Sequence, residues 1–131
     1  MAGWLTKLLG NRGERLAARY LRRQGLRILE RQYSTRSGEI DLIALDGDCL
    51  VFVEVKTRRS NQAGDPVEAI TIGKQKQLTR LALTYLKRHN RLEQRARFDV
   101  VAILWPTGSR KPEVRHYRNA FPAIGFGQMF S

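Results

Sequence analysis

Glu39 and Asp41, in the run Gly38-Glu39-Ile40-Asp41, are followed after twelve intervening residues by Glu54-Val55-Lys56. These residue types suit metal-assisted hydrolysis of a phosphodiester. Carboxylates are hard oxygen donors, and Mg²⁺ is typically held by one or two of them together with waters and substrate phosphate oxygens. A water on such an ion becomes a competent nucleophile near neutral pH, and the ion shields charge developing on the leaving oxygen. Lys56 can place an ammonium against the attacking water or the scissile phosphate. The same residues also decorate the solvated faces of many hairpins, so Glu-x-Lys alone is a weak signal.

The elements around them decide whether they meet. Gly38 to Leu45 and Leu50 to Thr57 read as strands rich in Ile, Leu and Val, separated by Asp46-Gly47-Asp48-Cys49, a hairpin signal. Alternation puts Glu39 and Asp41 on one face and Glu54 and Lys56 on one face. With Gly47-Asp48 as a type II′ loop, paired positions sum to 95, and Asp41 lies opposite Glu54 with Glu39 opposite Lys56. With Asp46-Gly47 as a type I′ loop the sum is 93, and Glu39 faces Glu54. Either register is expected to gather all four on one face. Two carboxylates across a strand pair repel, so a cation is expected to offset them. Asp46 and Asp48 read as turn chemistry.

The remainder of the chain is strongly basic, with 24 Lys plus Arg against 12 Asp plus Glu and a formal net charge of +12 over 131 residues. Such a balance implies an anionic partner, DNA or RNA first, with an anionic membrane surface or the ribosome behind them; charge alone names no substrate. The length suits one domain over residues 1–131, its core at about 11–118 and an aromatic and glycine-rich tail at 119–131. No run of apolar residues is long enough to span a bilayer, the amino-terminal run does not resemble a signal peptide, and the lone Cys49 suits a reducing compartment; a cytoplasmic protein is expected. With only His89 and His116, a histidine-rich metal site is not expected.

Around the hairpin, residues 11–24 read as an amphipathic helix stopped by Gly25, and Leu26 to Tyr33 as a strand. A polar loop over 58–65 leads to Pro66 at a helix start, and a longer helix spans Lys74 to Asn90. Phe98 to Trp105 is a buried strand, and Val114 to Arg118 an edge strand. The order helix, three strands, helix, strand is an α/β arrangement around a mixed sheet. Glu14 is a further candidate, open to two readings: half of a capping box with Asn11, or an accessory carboxylate of the site.

Helix-borne Glu14, then Asp41, then Glu54-Val55-Lys56 resembles the PD-(D/E)xK nuclease pattern. More closely, Gly13-Glu14, Gly38-Glu39-Ile40-Asp41-Leu42-Ile43-Ala44, Val53-Glu54-Val55-Lys56-Thr57-Arg58 and Lys74-Gln75 resemble the YraN-type family of small predicted endonucleases. The resemblance covers roughly residues 11–105. It implies a restriction-endonuclease-like αβββαβ core, akin to archaeal Holliday-junction resolvases whose similar acidic triad and lysine act with Mg²⁺. Residue by residue it implies Asp41 and Glu54 as ligands of Mg²⁺ or Mn²⁺, the Val55 carbonyl as a further ligand, Lys56 as the catalytic lysine, and Glu14 as an outer-sphere or second-metal carboxylate. Ile40 stands where the pattern has proline, which the chemistry does not require.

Basic and polar groups border the hairpin: Arg36 and Ser37 before the acidic strand, Arg58 and Arg59 after Glu54-Val55-Lys56, and Lys74, Gln75, Lys76 and Arg80 on the long helix. As a set they could hold phosphates on either side of a cut. No base-reading motif is present, so recognition by shape is expected, on branched or flapped DNA. Resolving junctions favours a homodimer, because two strands must be cut. The alternatives are a non-catalytic nucleic-acid-binding protein on a nuclease-like fold, and an adaptor for an acidic or ribosomal surface.

Overall fold

The computed structural model describes residues 2–59, 64–106, 108 and 110–125, with side chains from Asn11 onward. Helix α1 (Ala2–Arg23) is followed by strands β1 (Arg27–Thr35), β2 (Gly38–Asp46) and β3 (Cys49–Arg59), helix α2 (Ile72–Arg88), and strands β4 (Ala96–Trp105) and β5 (Glu113–Phe121). The five strands form one mixed sheet in the order β1-β2-β3-β4-β5. Only β3 and β4 run parallel, joined by the α2 crossover; the other neighbours are antiparallel. This is the mixed sheet flanked by helices expected from the sequence, consistent with a restriction-endonuclease-like core, with β5 extending the edge strand at both ends.

The two helices cover opposite faces of the sheet, and their apolar stripes differ in size. Small Ala17 and Ala18 with Leu21 let α1 lie close on Leu42, Ala44, Val51, Val53, Val101 and Ile103. The larger Leu78, Leu81, Tyr85 and Leu86 of α2 pack on Ile40, Ile43, Leu50, Phe52, Phe98 and Val100. Each such side chain withdrawn from water stabilises by about 2 kcal/mol. Helix α1 stops where Gly25, at φ +94°, lets the Leu26 N–H reach the Leu21 carbonyl at 3.0 Å and its own N–H reach that of Arg22 at 3.0 Å.

Three local expectations are corrected. Helix α1 begins at Ala2 rather than near Asn11, so Glu14 is a mid-helix residue and the capping-box reading falls. Pro66 opens a turn, not a helix; α2 starts at Ile72, where the Thr71 hydroxyl accepts from the Lys74 N–H at 3.2 Å. The first part of the tail belongs to the core: Phe121 and Ala123 are buried, and the Ile124 N–H donates to the Thr79 hydroxyl at 3.1 Å. Phe126 and Phe130 lie outside the described residues, as do positions 60–63 of the polar loop. No described helix is long and apolar enough to cross a membrane.

Candidate active site

The β2–β3 ladder runs from Asp46↔Cys49 to Leu42↔Val53, so paired positions sum to 95 and the loop is Gly47-Asp48. Gly47 has φ +60° while Asp48 is not in the left-handed region, as a turn with glycine first requires. Beyond Leu42↔Val53 the two strands part. Residues 38–40 of β2 keep pairing with β1, through Tyr33↔Ile40 and Thr35↔Gly38, and β3 from Glu54 onward keeps pairing with β4. The sheet is forked, and Asp41 and Glu54 stand at the crotch.

Asp41 fills that gap. Its Oδ2 accepts from the Val55 N–H at 2.8 Å, so a side chain occupies the place of the next backbone rung. The N–H and C=O of one strand residue project from the same edge, so the Val55 carbonyl also faces the fork. Here the expectation of a single acidic face is corrected. Ile40 packs with the α2 side and Leu42 with the α1 side, although strict alternation would put both on one face. The disruption lies beside Gln32 of β1, which has φ +52° and is flanked by the pairs Arg31↔Leu42 and Tyr33↔Ile40. Asp41 therefore communicates with both faces of the sheet. Glu54 and Lys56 share the face of Phe52, toward α2, while Glu39 and Asp41 lie with Glu14 of α1 so that one oxygen of each falls within 4.8 Å of the others.

Helix α1 presents Glu14 at that point because Gly13 sits against β3: a Cβ on Gly13 would overlap the Thr57 hydroxyl. The Gln32 amide donates to Glu14 Oε2 at 2.9 Å and to Asn11 Oδ1 at 3.0 Å, and the Ser34 hydroxyl to Glu39 Oε2 at 3.2 Å. The other wall is α2. Gly38, at φ +138°, leaves no room for a Cβ against the Gln77 amide, which donates to the Ser37 carbonyl. Ser37, Thr71, Gly73, Lys74, Gln77 and Arg80 line an open cleft of about 600 Å³.

The carboxylates are crowded and poorly compensated. Burial, then the neighbouring Asp41 charge, pushes Glu54 up to about 8, with Lys74 and Lys56 opposing. Burial likewise raises Asp41 against the Val55 N–H that favours its charge, and burial raises Glu14. Glu54 is 8% exposed, and its Oε2 is buried with no hydrogen-bond partner among the described residues. A buried carboxylate oxygen without a partner is costly.

The bordering residues take different places. Ser37, Lys74 and Arg80 line the cleft, and Arg36 is exposed in the turn beside Ser37. Arg58 and Arg59 extend β3 past the fork, opposite Leu104 and Trp105. Lys76 is exposed on α2 and does not line the cleft, while the Gln75 amide donates to the Ile70 carbonyl at 3.0 Å and tethers the segment before the helix. Gln32 and Gln77, which hold Glu14 and the β1–β2 turn, carry no mark in the sequence; only the strand register and helix contact reveal them.

At the far end of the hairpin Asp46 is more than a turn residue. It takes ion pairs from Arg97 at 3.0 Å and Arg118 at 3.6 Å. Arg97 also forks onto fully buried Asp99 at 2.9 and 3.2 Å, and Asp99 further accepts from His116 at 2.7 Å and the Asn119 N–H at 2.9 Å. Burial works against the Asp99 charge, yet the bonds from His116, Arg97 and Asn119 outweigh it and hold the carboxyl below its ordinary value.

The model of the uncharacterised protein family UPF0102 matches residues 13–103, which carry every acid of the cluster. A UPF0102 protein of Rhodococcus opacus (strain B4) is 50% identical over 113 residues, covering 86% of this chain and 95% of the relative. One from Geobacter metallireducens is 47% identical over 115 residues, with 88% and 93% covered, and one from Rhodopirellula baltica 46% over 125 residues, with 93% and 75% covered. With the family model matching residues 13–103 and relatives at 46–50% identity over 86–93% of its length, the chain belongs to the uncharacterised protein family UPF0102.

Proposed function

We propose that this protein is a divalent-metal-dependent endonuclease of the PD-(D/E)xK type, hydrolysing phosphodiester bonds in structured DNA. The observation that carries the reading is the buried Glu54 Oε2, without a partner among the described residues, beside Asp41 in a fork where Glu14, Asp41 and Glu54 are each pushed toward the neutral form. An all-oxygen donor set short of positive charge suits Mg²⁺ or Mn²⁺. Asp41, Glu54 and the Val55 carbonyl would hold the ion, with Glu14 and Glu39 at its margin. Bound there, it supplies charge to the phosphate oxygens and an ionisable water.

The chain's own groups supply the remainder. Lys74 and Lys56, which both favour the charged form of Glu54, would orient the attacking water and neutralise the phosphate approaching the acids. Lys74, Arg80 and the Ser37 hydroxyl grip a flanking phosphate in the cleft. The net charge of +12 draws a polyanion to the molecule and makes binding strongly salt-dependent.

Cleavage assays over branched, flapped, single-stranded and linear DNA and structured RNA with Mg²⁺ or Mn²⁺ test the proposal. Wild-type protein should nick branched substrates, and Asp41→Asn, Glu54→Gln and Lys56→Ala should each lose at least about a hundredfold in rate while retaining binding. Salt-sensitive binding without cleavage under any of these conditions would instead mark a nucleic-acid-binding protein on a nuclease-like fold.

A further inference from the structure

We propose that Ile72 is an apolar wedge that packs on an unstacked base at a branch or flap, and so directs the protein to interrupted rather than continuous duplex. The inference rests on the nuclease reading above and names the substrate feature that the site selects. Ile72 is 58% exposed, more than any other large hydrophobic side chain among the described residues; Leu92, at 39%, is the other in that class. It is the first residue of α2, where proline or an acidic residue is the usual occupant. An isoleucine held there in water contributes nothing to the core.

Its position gives it a use. Both chain neighbours, Thr71 and Gly73, line the cleft that also presents Lys74, Arg80 and Ser37, so Ile72 stands on the rim of a basic groove. Lys74 couples that groove to the acids, acting electrostatically on both Asp41 and Glu54. A backbone gripped in the cleft would bring its bases past the rim. In continuous duplex those bases are stacked and offer no apolar face; at a branch or flap one face is open. Apolar side chains set against unstacked base steps, beside cations on the phosphates, are an established means of reading deformed nucleic acid. One isoleucine partly buried on a base should change affinity about tenfold.

The test uses full-length wild type, Ile72→Ala, Ile72→Leu and, as control, Leu92→Ala, with a flapped duplex carrying 2-aminopurine at the branch and a linear duplex of the same sequence. Binding is read in Ca²⁺ and cleavage in Mg²⁺ or Mn²⁺. Wild type, Ile72→Leu and Leu92→Ala should raise the fluorescence and favour the flap; Ile72→Ala should lose the rise and about tenfold of the preference. An Ile72→Ala protein with unchanged fluorescence and preference overturns the wedge and leaves the endonuclease standing. A wild type that binds and unstacks but cuts nothing overturns the endonuclease and leaves the wedge; failure to bind either duplex overturns both.

Discussion

The Asp41 carboxylate accepts the Val55 N–H at 2.8 Å, so a side chain of β2 stands in the sheet where a backbone carbonyl would otherwise be. That one bond holds the fork open, satisfies an amide the departing strand would orphan, and fixes Asp41 beside Glu54. Replacing Asp41 by Asn should lower the Glu54 titration midpoint from about 8, because the Asp41 charge raises it, yet leave it above the ordinary 4.5, because burial remains the larger cause. Carboxyl ¹³C NMR titration of wild type and Asp41→Asn measures this. An unmoved midpoint would mean that the two groups do not interact.

The raised Glu54 also makes metal-free stability depend on pH with a definite sign. Below about pH 4.5 the group is protonated in folded and unfolded chains alike. As pH rises toward 8 the unfolded chain ionises freely and the folded one does not, so stability falls, on the order of a few kcal/mol by pH 8. Urea denaturation in chelator should show this loss between pH 5 and 8. Glu54→Gln should flatten it, and millimolar Mg²⁺ should restore stability at the high end.

Gly13→Ala ordinarily improves a helix by up to about 1 kcal/mol. Here the added methyl meets the Thr57 hydroxyl and Ile103, so the substitution should destabilise by about 1–3 kcal/mol. Adding Thr57→Ala should recover part of that loss in a double-mutant cycle read by thermal denaturation. Cleavage should fall in the single variant, since Glu14 is the next residue.

Asp99→Ala removes the carboxylate that Arg97, His116 and the Asn119 N–H all address. Arg97 keeps Asp46 at 3.0 Å, but His116 and the Asn119 N–H lose their acceptor, which should cost about 1–3 kcal/mol in chemical denaturation. Because Asp99 is held below its ordinary value, its contribution is present above the unfolded carboxylate pKa and lost as pH falls through the folded one. A variant of wild-type stability would show the network to be dispensable.

The meeting of Asp41 with Glu54 was legible because a glycine in a two-residue hairpin loop leaves only two registers, of which the structure takes the one that sums to 95. Helix and strand periods placed the remaining elements for the same local reason. The kink at Gln32 was not legible, since a positive φ on glutamine has no compositional sign, and with it went the splitting of the acids over two faces. The start of α1 was hidden by Gly3, Gly10 and Asn11, poor helix formers that nevertheless lie within the helix. Asp46 looked like turn chemistry because its partner Arg97 reaches it only through the parallel crossover that docks β4 on β3.

The Gly47-Asp48 loop has a consequence for how this chain can change length. Surface loops ordinarily absorb insertions and deletions with little effect. Here one residue gained or lost would slip the pairing of β2 with β3, exchanging the side chains that one strand presents to α1 and to α2 and carrying Asp41 off the Val55 amide. The loop thus acts as the ruler for chemistry that lies five residues from its edge, and indels compatible with the site must fall elsewhere, in the connections that flank α2 or between β4 and β5.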